Sequence, residues 1–194
     1  MHLAEIPIIH RDVAARNCLL DNDLNIKLSD FGMAKVMQHV RGQTNPQYNF
    51  ANVNECIAIP WAAPECLQQN ICTPKSDVWS LGVTMWEFMS RCKERPYRHL
   101  QNCDQGEVLD FLKNDGRLEK PEGWSDKMFK FAVKKCWEWD NTTRPSAEEI
   151  KKKLLKIVDN PVRYDLYGMQ RKTDRKAEFG LKFMSLMSVL MFAV

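Results

Sequence analysis

Glycine-rich phosphate-binding motifs and long apolar runs are both missing from this sequence of 194 residues. Its eight glycines are dispersed, so no Gly-x-Gly-x-x-Gly loop exists, and no Val-Ala-x-Lys strand is present. The most apolar stretch, 181–194, is interrupted by Lys182 and is shorter than the roughly 20 residues that a membrane-spanning helix needs. We therefore expect a peripheral or packed tail there, with a tail anchor as the weaker alternative.

Charge of one sign is also scarce. The chain has 28 Lys and Arg against 25 Asp and Glu, a net charge of +3 that is spread along the sequence. A nucleic-acid-binding protein usually concentrates basic residues on one surface, so no nucleic-acid partner is expected. The seven cysteines form no Cys-x-x-Cys pair and are odd in number, and the N-terminus lacks the pattern of a secretory leader. These features predict reduced thiols and a cytoplasmic location.

The composition is that of an ordinary folded domain, with 44% hydrophobic and 27% charged residues. Between residues 6 and 30, short apolar runs alternate with turn residues, which predicts small strands joined by loops. The stretch 78–88 is apolar on all sides at helical spacing and predicts a helix buried at the centre of the fold. We expect a mainly α domain with a few short β-strands.

Further helices are predicted from capping patterns. Asp104 with Glu107, and Ser146 with Glu149, match the capping box that opens a helix. Apolar spacing from Ser125 through Trp139 predicts one more helix between them.

Three short motifs contain most of the candidate catalytic groups. They are His10-Arg11-Asp12 with Arg16 and Asn17, then Asp30-Phe31-Gly32, then Ala63-Pro64-Glu65. Each motif alone is common in structural turns, but their order and spacing resemble the signature set of protein kinases. The resemblance covers residues 1–158, with an activation loop at about 30–65, and leaves 159–194 as a C-terminal tail with an apolar end. It implies the helical C-terminal lobe of the kinase fold, with the short strands around the catalytic loop.

The resemblance implies a role for each of these residues. Phosphoryl transfer needs a carboxylate to receive the proton of the substrate hydroxyl, and hard oxygen ligands for magnesium. Asp12 is implied to be the base, with Arg16 and Asn17 as further catalytic residues. Asn17 and Asp30 are implied to bind Mg²⁺ and, through it, ATP. The residues with implied structural roles are His10, Arg11, Phe31, Gly32, Asp77, which accepts hydrogen bonds from the catalytic loop, and Glu65 with Arg144, which form a buried ion pair.

The residues around the catalytic Asp narrow the resemblance to tyrosine kinases. Serine/threonine kinases usually have Lys two positions after that Asp, where Ala14 stands here, whereas Arg16 matches the tyrosine-specific pattern. Trp61 and Cys136-Trp137 also resemble the tyrosine-kinase branch. The segments most similar to the Janus kinases are 63–67, 76–84, 112–118 and 135–138.

Two features of the activation loop bear on substrate and regulation. Ala58, Ile59 and Pro60 replace the Pro, aliphatic and Lys or Arg residues that tyrosine kinases usually have before the Trp, under the substrate tyrosine. Tyr48 is the single tyrosine of the loop and a candidate for activating autophosphorylation, because Arg11 occupies the family's phosphate-receiving position. A solvated loop tyrosine is the alternative interpretation.

The implied function is transfer of the ATP γ-phosphate to tyrosine in a protein substrate, with Mg²⁺, among receptor or signalling proteins. The family pattern also implies that the N-terminal β lobe, which carries the glycine-rich loop and a lysine, is absent from this chain. A catalytically inactive kinase-lobe binding module or scaffold is therefore the alternative. The same absence predicts that helix 78–88 exposes apolar area and that the chain is poorly stable alone.

Overall fold

A computed structural model describes residues 8–22, 26–36, 47–49, 57–122, 124, 126, 129–130 and 133–159. The helices with described bounds are α1 (Pro64–Gln69), α2 (Pro74–Met89), α3 (Gln105–Lys113) and α4 (Ala147–Asp159). The strands are β1 (Ile8–Ile9), β2 (Cys18–Leu20), β3 (Ile26–Leu28), β4 (Lys35–Val36), β5 (Tyr48–Asn49) and β6 (Ile71–Cys72). Within these residues the fold is mainly helical, as the sequence predicts.

The strands form three antiparallel pairs that position the motifs. β1 pairs with β4 so that Ile8 faces Val36, and β2 pairs with β3. The catalytic loop connects β1 to β2, and the Asp-Phe-Gly motif lies between β3 and β4, so these two pairs bring the motifs side by side. β5 pairs with β6, with Tyr48 opposite Cys72, and this joins the activation loop to the strand that precedes α2.

Helix α2 forms the centre of the core. It begins with Pro74, whose missing N–H costs nothing in the first turn, and Ser76 Oγ accepts a hydrogen bond of 3.0 Å from the Thr73 N–H. Trp79 and Leu81 are completely buried, and nearly all other apolar residues of the helix are buried too. The prediction that this helix leaves apolar area exposed is therefore wrong, because other segments of the same chain cover it.

One of those covering segments is a 3₁₀ turn, Lys134–Trp137, that packs against α2. A Cβ atom added at Gly82 would lie 2.7 Å from the Cys136 Cβ, so glycine is what permits this close approach. The helix predicted from Ser125 through Trp139 does not continue to its predicted end. The described end of that segment is this 3₁₀ turn, and Trp139 is 42% exposed. Packing against α2 overrides the apolar spacing here; most of 125–132 lies outside the described residues.

The capping box at Ser146 is confirmed in full, and the one at Asp104 only in its N-cap half. Asp104 Oδ1 accepts from the Glu107 N–H at 2.9 Å at the start of α3, but the Glu107 carboxylate accepts from the N–H groups of Asn102 and Cys103 instead of Asp104. Ser146 Oγ accepts from the Glu149 N–H at 3.2 Å, and the Glu149 carboxylate accepts from the Ser146 N–H at 2.7 Å. None of the helices in the described ranges has the length and apolarity to cross a membrane. The predicted tail, from residue 160, lies outside those ranges.

Candidate active site

The catalytic loop is anchored to the first turn of α2. Asp77 accepts hydrogen bonds from the His10 N–H at 2.7 Å and from the Arg11 N–H at 2.9 Å, one on each carboxylate oxygen. Burial raises the pKa of Asp77 to about 7, although these two donors act to lower it. Arg11 has a positive φ of 68°, a conformation that is strained for a residue with a side chain. The two bonds to Asp77 hold the backbone in this conformation.

The Asp12 carboxylate is surrounded by hydrogen-bond donors. Asn17 Nδ2 donates to its Oδ2 at 2.7 Å and to its backbone carbonyl at 2.8 Å. The Arg16 guanidinium forms an ion pair with its Oδ1. Asp12 itself is buried. These donors hold the Asp12 carboxylate as a hydrogen-bond acceptor, which is the property a base for a hydroxyl proton needs.

Asp30 is brought next to this group by the residue before it. The Ser29 N–H and the Ser29 Oγ both donate to the backbone carbonyl of Asn17, each at 2.8 Å. Asp30 has a φ of 60° and accepts from the Gly32 N–H at 3.2 Å. A Cβ at Gly32 would lie 3.1 Å from the Asp30 Oδ1, so a side chain there would crowd the carboxylate. The bonds of Ser29 thus place Asp30, which is exposed, close to Asn17 along the chain fold.

His10 contacts residues of two motifs, Asp12 of the catalytic loop and Phe31 of the Asp-Phe-Gly motif. Its ring packs edge-on against Phe31 with the centroids 4.8 Å apart, and its Nδ1 accepts a 3.3 Å bond from the Asp12 N–H. Burial lowers the pKa of His10, while the Ser29 backbone and the Asp12 and Asp30 carboxylates act to raise it. The imidazole is therefore neutral at pH 7 and serves as a packed spacer.

The donor set fits a magnesium ion. Asn17 directs its amide NH₂ to Asp12, which leaves its side-chain oxygen as a candidate ligand, and Asp30 adds a carboxylate. Mg²⁺ prefers such hard oxygens and is commonly held by one or two protein ligands together with phosphates. The described residues contain no cluster of three His, Cys, Asp or Glu side chains that would indicate a different metal centre.

Glu87 of α2 is a site residue that the sequence analysis missed. Its Oε2 accepts from the Ala15 N–H at 3.0 Å and from Trp61 Nε1 at 2.8 Å. The Arg16 guanidinium stacks over the Trp61 ring, 4.5 Å from its centroid. Burial raises the pKa of Glu87, against the effect of these donors. A glutamate inside an apolar buried helix was the available signal, because such a residue needs polar partners.

Residues 58–60 depart from the tyrosine-kinase pattern but still have a regular backbone structure. Ile59–Trp61 is a 3₁₀ turn, and Pro60 lies in its first positions, where a missing N–H is tolerated. Trp61 is held from below by Glu87. Pro60, which stands where the family usually has Lys or Arg, therefore fits this turn, and Trp61 keeps its bond to Glu87.

The end of the activation loop is fixed by a buried ion pair. Arg144 donates to both oxygens of Glu65, at 2.7 and 2.8 Å, and Ser76 Oγ donates to Glu65 Oε1 at 2.8 Å. The Arg144 side chain is completely buried and its guanidinium lies 5.0 Å from the centroid of the Trp79 ring. This bidentate pair connects α1 to the segment that precedes α4.

Two cations lie near the Tyr48 ring. The Arg11 guanidinium carbon is 5.0 Å from the ring centroid, and the Lys35 ammonium is 5.3 Å from it. The structure thus brings together the base, the metal-ligand candidates and the loop tyrosine predicted from the sequence. The catalytic, metal-binding and regulatory roles assigned to them stay predictions.

Comparison with known proteins identifies the class to which this site belongs. The family model of protein tyrosine and serine/threonine kinases matches residues 1–154. The chain belongs to this family.

Among the curated relatives that it matches, two are named as tyrosine kinases and one as a receptor. Ephrin type-B receptor 1 of Gallus gallus is 38% identical over 160 residues, 82% of this chain and 15% of the receptor. Discoidin domain-containing receptor tyrosine kinase B of Caenorhabditis elegans is 34% identical, over 81% of this chain and 19% of that protein. The tyrosine-protein kinase transforming protein Abl of Abelson murine leukemia virus is 37% identical, over 77% and 18%.

This chain therefore spans less than a fifth of the length of each of these three relatives. The finer resemblance to the Janus kinases stays a prediction.

Proposed function

We propose that this chain contributes the catalytic base and metal ligands of a protein tyrosine kinase. The observation that carries the proposal is the Asp12 carboxylate, held by Arg16 and Asn17 beside Asp30. Tyrosine as the acceptor is supported by Arg16 and by the names of the tyrosine kinase relatives.

The proposed reaction follows from the placement of these groups. Asp12 accepts the proton of the tyrosine hydroxyl. At the same time the tyrosine oxygen bonds to the γ-phosphorus of ATP, and the bond between that phosphorus and the ADP oxygen breaks. Mg²⁺, when bound by Asn17 and Asp30, neutralises phosphate charge. Arg16 orients Asp12 and, through its stacking on Trp61, ties the base to the surface on which the substrate tyrosine lies. The kinase family supplies the expectation of ATP and Mg²⁺ as cofactors.

The lobe that covers ATP is proposed to be provided from outside these 194 residues. Support comes from the lack of a glycine-rich loop in the sequence and from exposed apolar residues on β2 and β4. Leu19 is 57% exposed, Leu20 61% and Val36 63%. A cytoplasmic location, protein partners in signalling and a Janus-like subtype belong to the same proposal. The scattered, odd-numbered cysteines support the location.

A second candidate function is a catalytically inactive binding module. It is favoured by the missing Val-Ala-x-Lys strand, whose lysine contacts the ATP phosphates in kinases. The two candidates differ in their use of nucleotide, because only the enzyme requires Mg-ATP.

The decisive experiment compares the wild-type chain with Asp12→Asn. Both are incubated with Mg-ATP, a tyrosine peptide and a separately supplied ATP-covering lobe of a tyrosine kinase, and phosphate transfer is followed by mass spectrometry. We expect Asp12→Asn to lower the rate by about 10²- to 10⁴-fold, because the amide cannot take the hydroxyl proton. Asp21→Asn, which removes a surface carboxylate paired with Lys27, is the matched control and should leave the rate unchanged.

The opposite results separate the two candidates. Absence of both Mg-ATP binding and transfer at millimolar nucleotide would favour the inactive module. Equal rates for the wild-type chain and Asp12→Asn would contradict the assignment of the base.

The regulatory prediction at Tyr48 has its own test. Phosphorylation would add negative charge to a ring that two cations, Arg11 and Lys35, already contact. Preincubation with Mg-ATP is expected to raise activity severalfold in the wild-type chain and in Tyr164→Phe, but not in Tyr48→Phe. Phosphopeptide mapping of active protein that shows Tyr48 unmodified would remove this prediction.

A further inference from the structure

Helix α2 is buried, yet it carries a row of polar residues along one side. Asp77, Ser80, Thr84 and Glu87 follow one another at intervals of three and four residues, which places them on the same face of the helix. All four are buried. A buried polar side chain costs free energy unless it is hydrogen-bonded, so each member of this polar row needs a partner.

The two hydroxyl groups of the polar row contact two different segments of the active site. Thr84 Oγ1 donates to the Val13 carbonyl of the catalytic loop at 3.1 Å. Ser80 Oγ donates to the Trp61 carbonyl, at the end of the activation loop, at 2.7 Å. The backbone of each segment is therefore attached to α2 by its own hydrogen bond.

Glu87 contacts both segments through a single atom. Its Oε2 accepts from the Ala15 N–H of the catalytic loop at 3.0 Å and from Trp61 Nε1 at 2.8 Å. Because one oxygen accepts both N–H groups, the lengths of two hydrogen bonds limit the distance between the two donors. Glu87 thus sets the separation between the catalytic loop and the Trp61 ring.

The two donors belong to the two places that hold the Arg16 side chain. Arg16 follows Ala15 in the chain, and its guanidinium stacks 4.5 Å from the centroid of the Trp61 ring. The same guanidinium forms the ion pair with Asp12. Any influence of Glu87 on the base therefore passes through Arg16.

The position of the base matters for the rate of the proposed reaction. A base must lie within hydrogen-bond reach of the proton that it accepts, and a displacement of about 1 Å can lower the rate by about 10²-fold. We propose that Glu87 is a positioning residue of the kinase reaction, which acts on the Asp12 base through Arg16. This inference rests on the proposed tyrosine kinase function. It assigns the role to Oε2 as a hydrogen-bond acceptor and not to the negative charge of Glu87.

Three substitutions separate these properties. Glu87→Gln keeps a carbonyl oxygen that can accept both N–H groups but removes the charge, whereas Glu87→Met keeps the length of the side chain and removes the acceptor. Trp61→Phe keeps an aromatic ring beside Arg16 and removes the indole N–H. Each variant of the 194-residue chain is assayed with Mg-ATP, a tyrosine peptide and a separately supplied ATP-covering lobe of a tyrosine kinase.

The expected signature is a loss in kcat. Glu87→Met should lower kcat about tenfold and change the KM for the peptide less than about twofold, because Ser80 still holds the backbone of Trp61 while the base is displaced. Glu87→Gln should keep most of the wild-type kcat. Trp61→Phe should lower kcat less than Glu87→Met does, and should cost little more when it is added to Glu87→Met, because the partner of the indole is already gone.

Two further measurements separate positioning from a general loss of stability. The indole N–H signal of Trp61 in the ¹⁵N-labelled chain, assigned by its disappearance in Trp61→Phe, should shift in Glu87→Met and stay in place in Glu87→Gln. Ile150→Val, which removes one methylene group from a buried residue of α4, is the stability control. It should lower the urea midpoint and leave kcat unchanged.

The opposing outcomes distinguish the inference from the function on which it rests. A wild-type kcat in Glu87→Met, equal losses in Glu87→Gln and Glu87→Met, a loss confined to KM, or an equal loss in Ile150→Val would each overturn the inference and leave the kinase function standing. Absence of transfer by the wild-type chain would contradict the kinase function, and the positioning role would fall with it. The Trp61 signal would then still report the contact with Glu87.

Discussion

Two regions next to the catalytic loop differ in solvent exposure: the buried contacts of Asp77 and of the Glu65–Arg144 pair, called the underside here, and the exposed residues Leu20 and Val36, called the outer edge. Below the loop, Asp77 and the Glu65–Arg144 pair are buried, and each makes several hydrogen bonds. At the outer edge, Leu20 and Val36 lie on β2 and β4 with most of their apolar surface in solvent. The residues around Asp12 are thus held by buried contacts with α2 as well as by the strand pairs β1–β4 and β2–β3. The edge retains apolar area that another protein surface could bury, at about 25 cal/mol per Å².

Removing a buried anchor should break this comparison most strongly. Arg144→Ala leaves the Glu65 carboxylate buried without its partner, and we expect the free energy of unfolding to fall by about 3–5 kcal/mol. Urea unfolding followed by circular dichroism measures the change. Lys135→Ala, which removes the exposed ion pair with Glu138, is the control and should cost less than about 1 kcal/mol. Similar losses in both variants would mean that the buried pair is not the anchor described here.

A smaller effect is expected at Asp77, and it depends on pH. A protonated Asp77 can turn its O–H away and keep both oxygens as acceptors, whereas the amide of Asp77→Asn turns an N–H donor toward the catalytic loop, which should cost about 2 kcal/mol in acidic solution. The pKa of Asp77 is about 7 in the folded chain against an ordinary 3.8, so the folded state holds the proton more tightly. Its contribution to stability is therefore present below about pH 4 and is lost as pH rises through about 7.

The stability difference between the wild-type chain and Asp77→Asn should consequently shrink from pH 4 to pH 7. Urea midpoints of both proteins, measured across this range, test the sign. A difference that grows with pH would contradict the raised pKa. Asp126→Asn, which changes a fully exposed carboxylate, controls for the general effect of removing an acid.

The smallest effect is expected at the outer edge. Leu20→Ser should change the free energy of unfolding by less than about 0.5 kcal/mol, because the side chain is already mostly in water. Leu81→Ser, a change of the same residue type in the buried helix α2, should destabilise the chain by several kcal/mol. Thermal melts of the two variants compare the regions directly. A large loss in Leu20→Ser would show that the edge is covered in solution.

Local signals in the sequence predicted the parts of the fold that depend on neighbouring residues. The capping pairs at Asp104 and Ser146 are such signals, because the partners lie within one helical turn. The apolar run 78–88 likewise predicted a buried helix. The motif order predicted which residues meet near Asp12, although spacing alone could not give their distances.

Features that depend on distant segments were missed or mistaken. Glu87 contacts Ala15 and Trp61, which are far from it in the chain, and no local pattern indicates such partners. The expected exposure of α2 was wrong because the 3₁₀ turn Lys134–Trp137 packs on it, a contact that the spacing of apolar residues does not encode. A cavity lined by Trp61, Arg95 and Arg98 likewise arises only when residues 95–103 fold against the activation loop.

The sequence by itself determined the family and the chemistry available to the chain. The carboxylate of Asp12, the amide of Asn17 and the carboxylate of Asp30 follow in this order in the sequence, and the order predicts phosphoryl transfer before any coordinates are known. The tertiary structure decided how these groups are held, through the buried Asp77, Glu87 and Glu65–Arg144 contacts. A buried charge is stable only with its partners in place, and in this chain those partners come from segments tens of residues away.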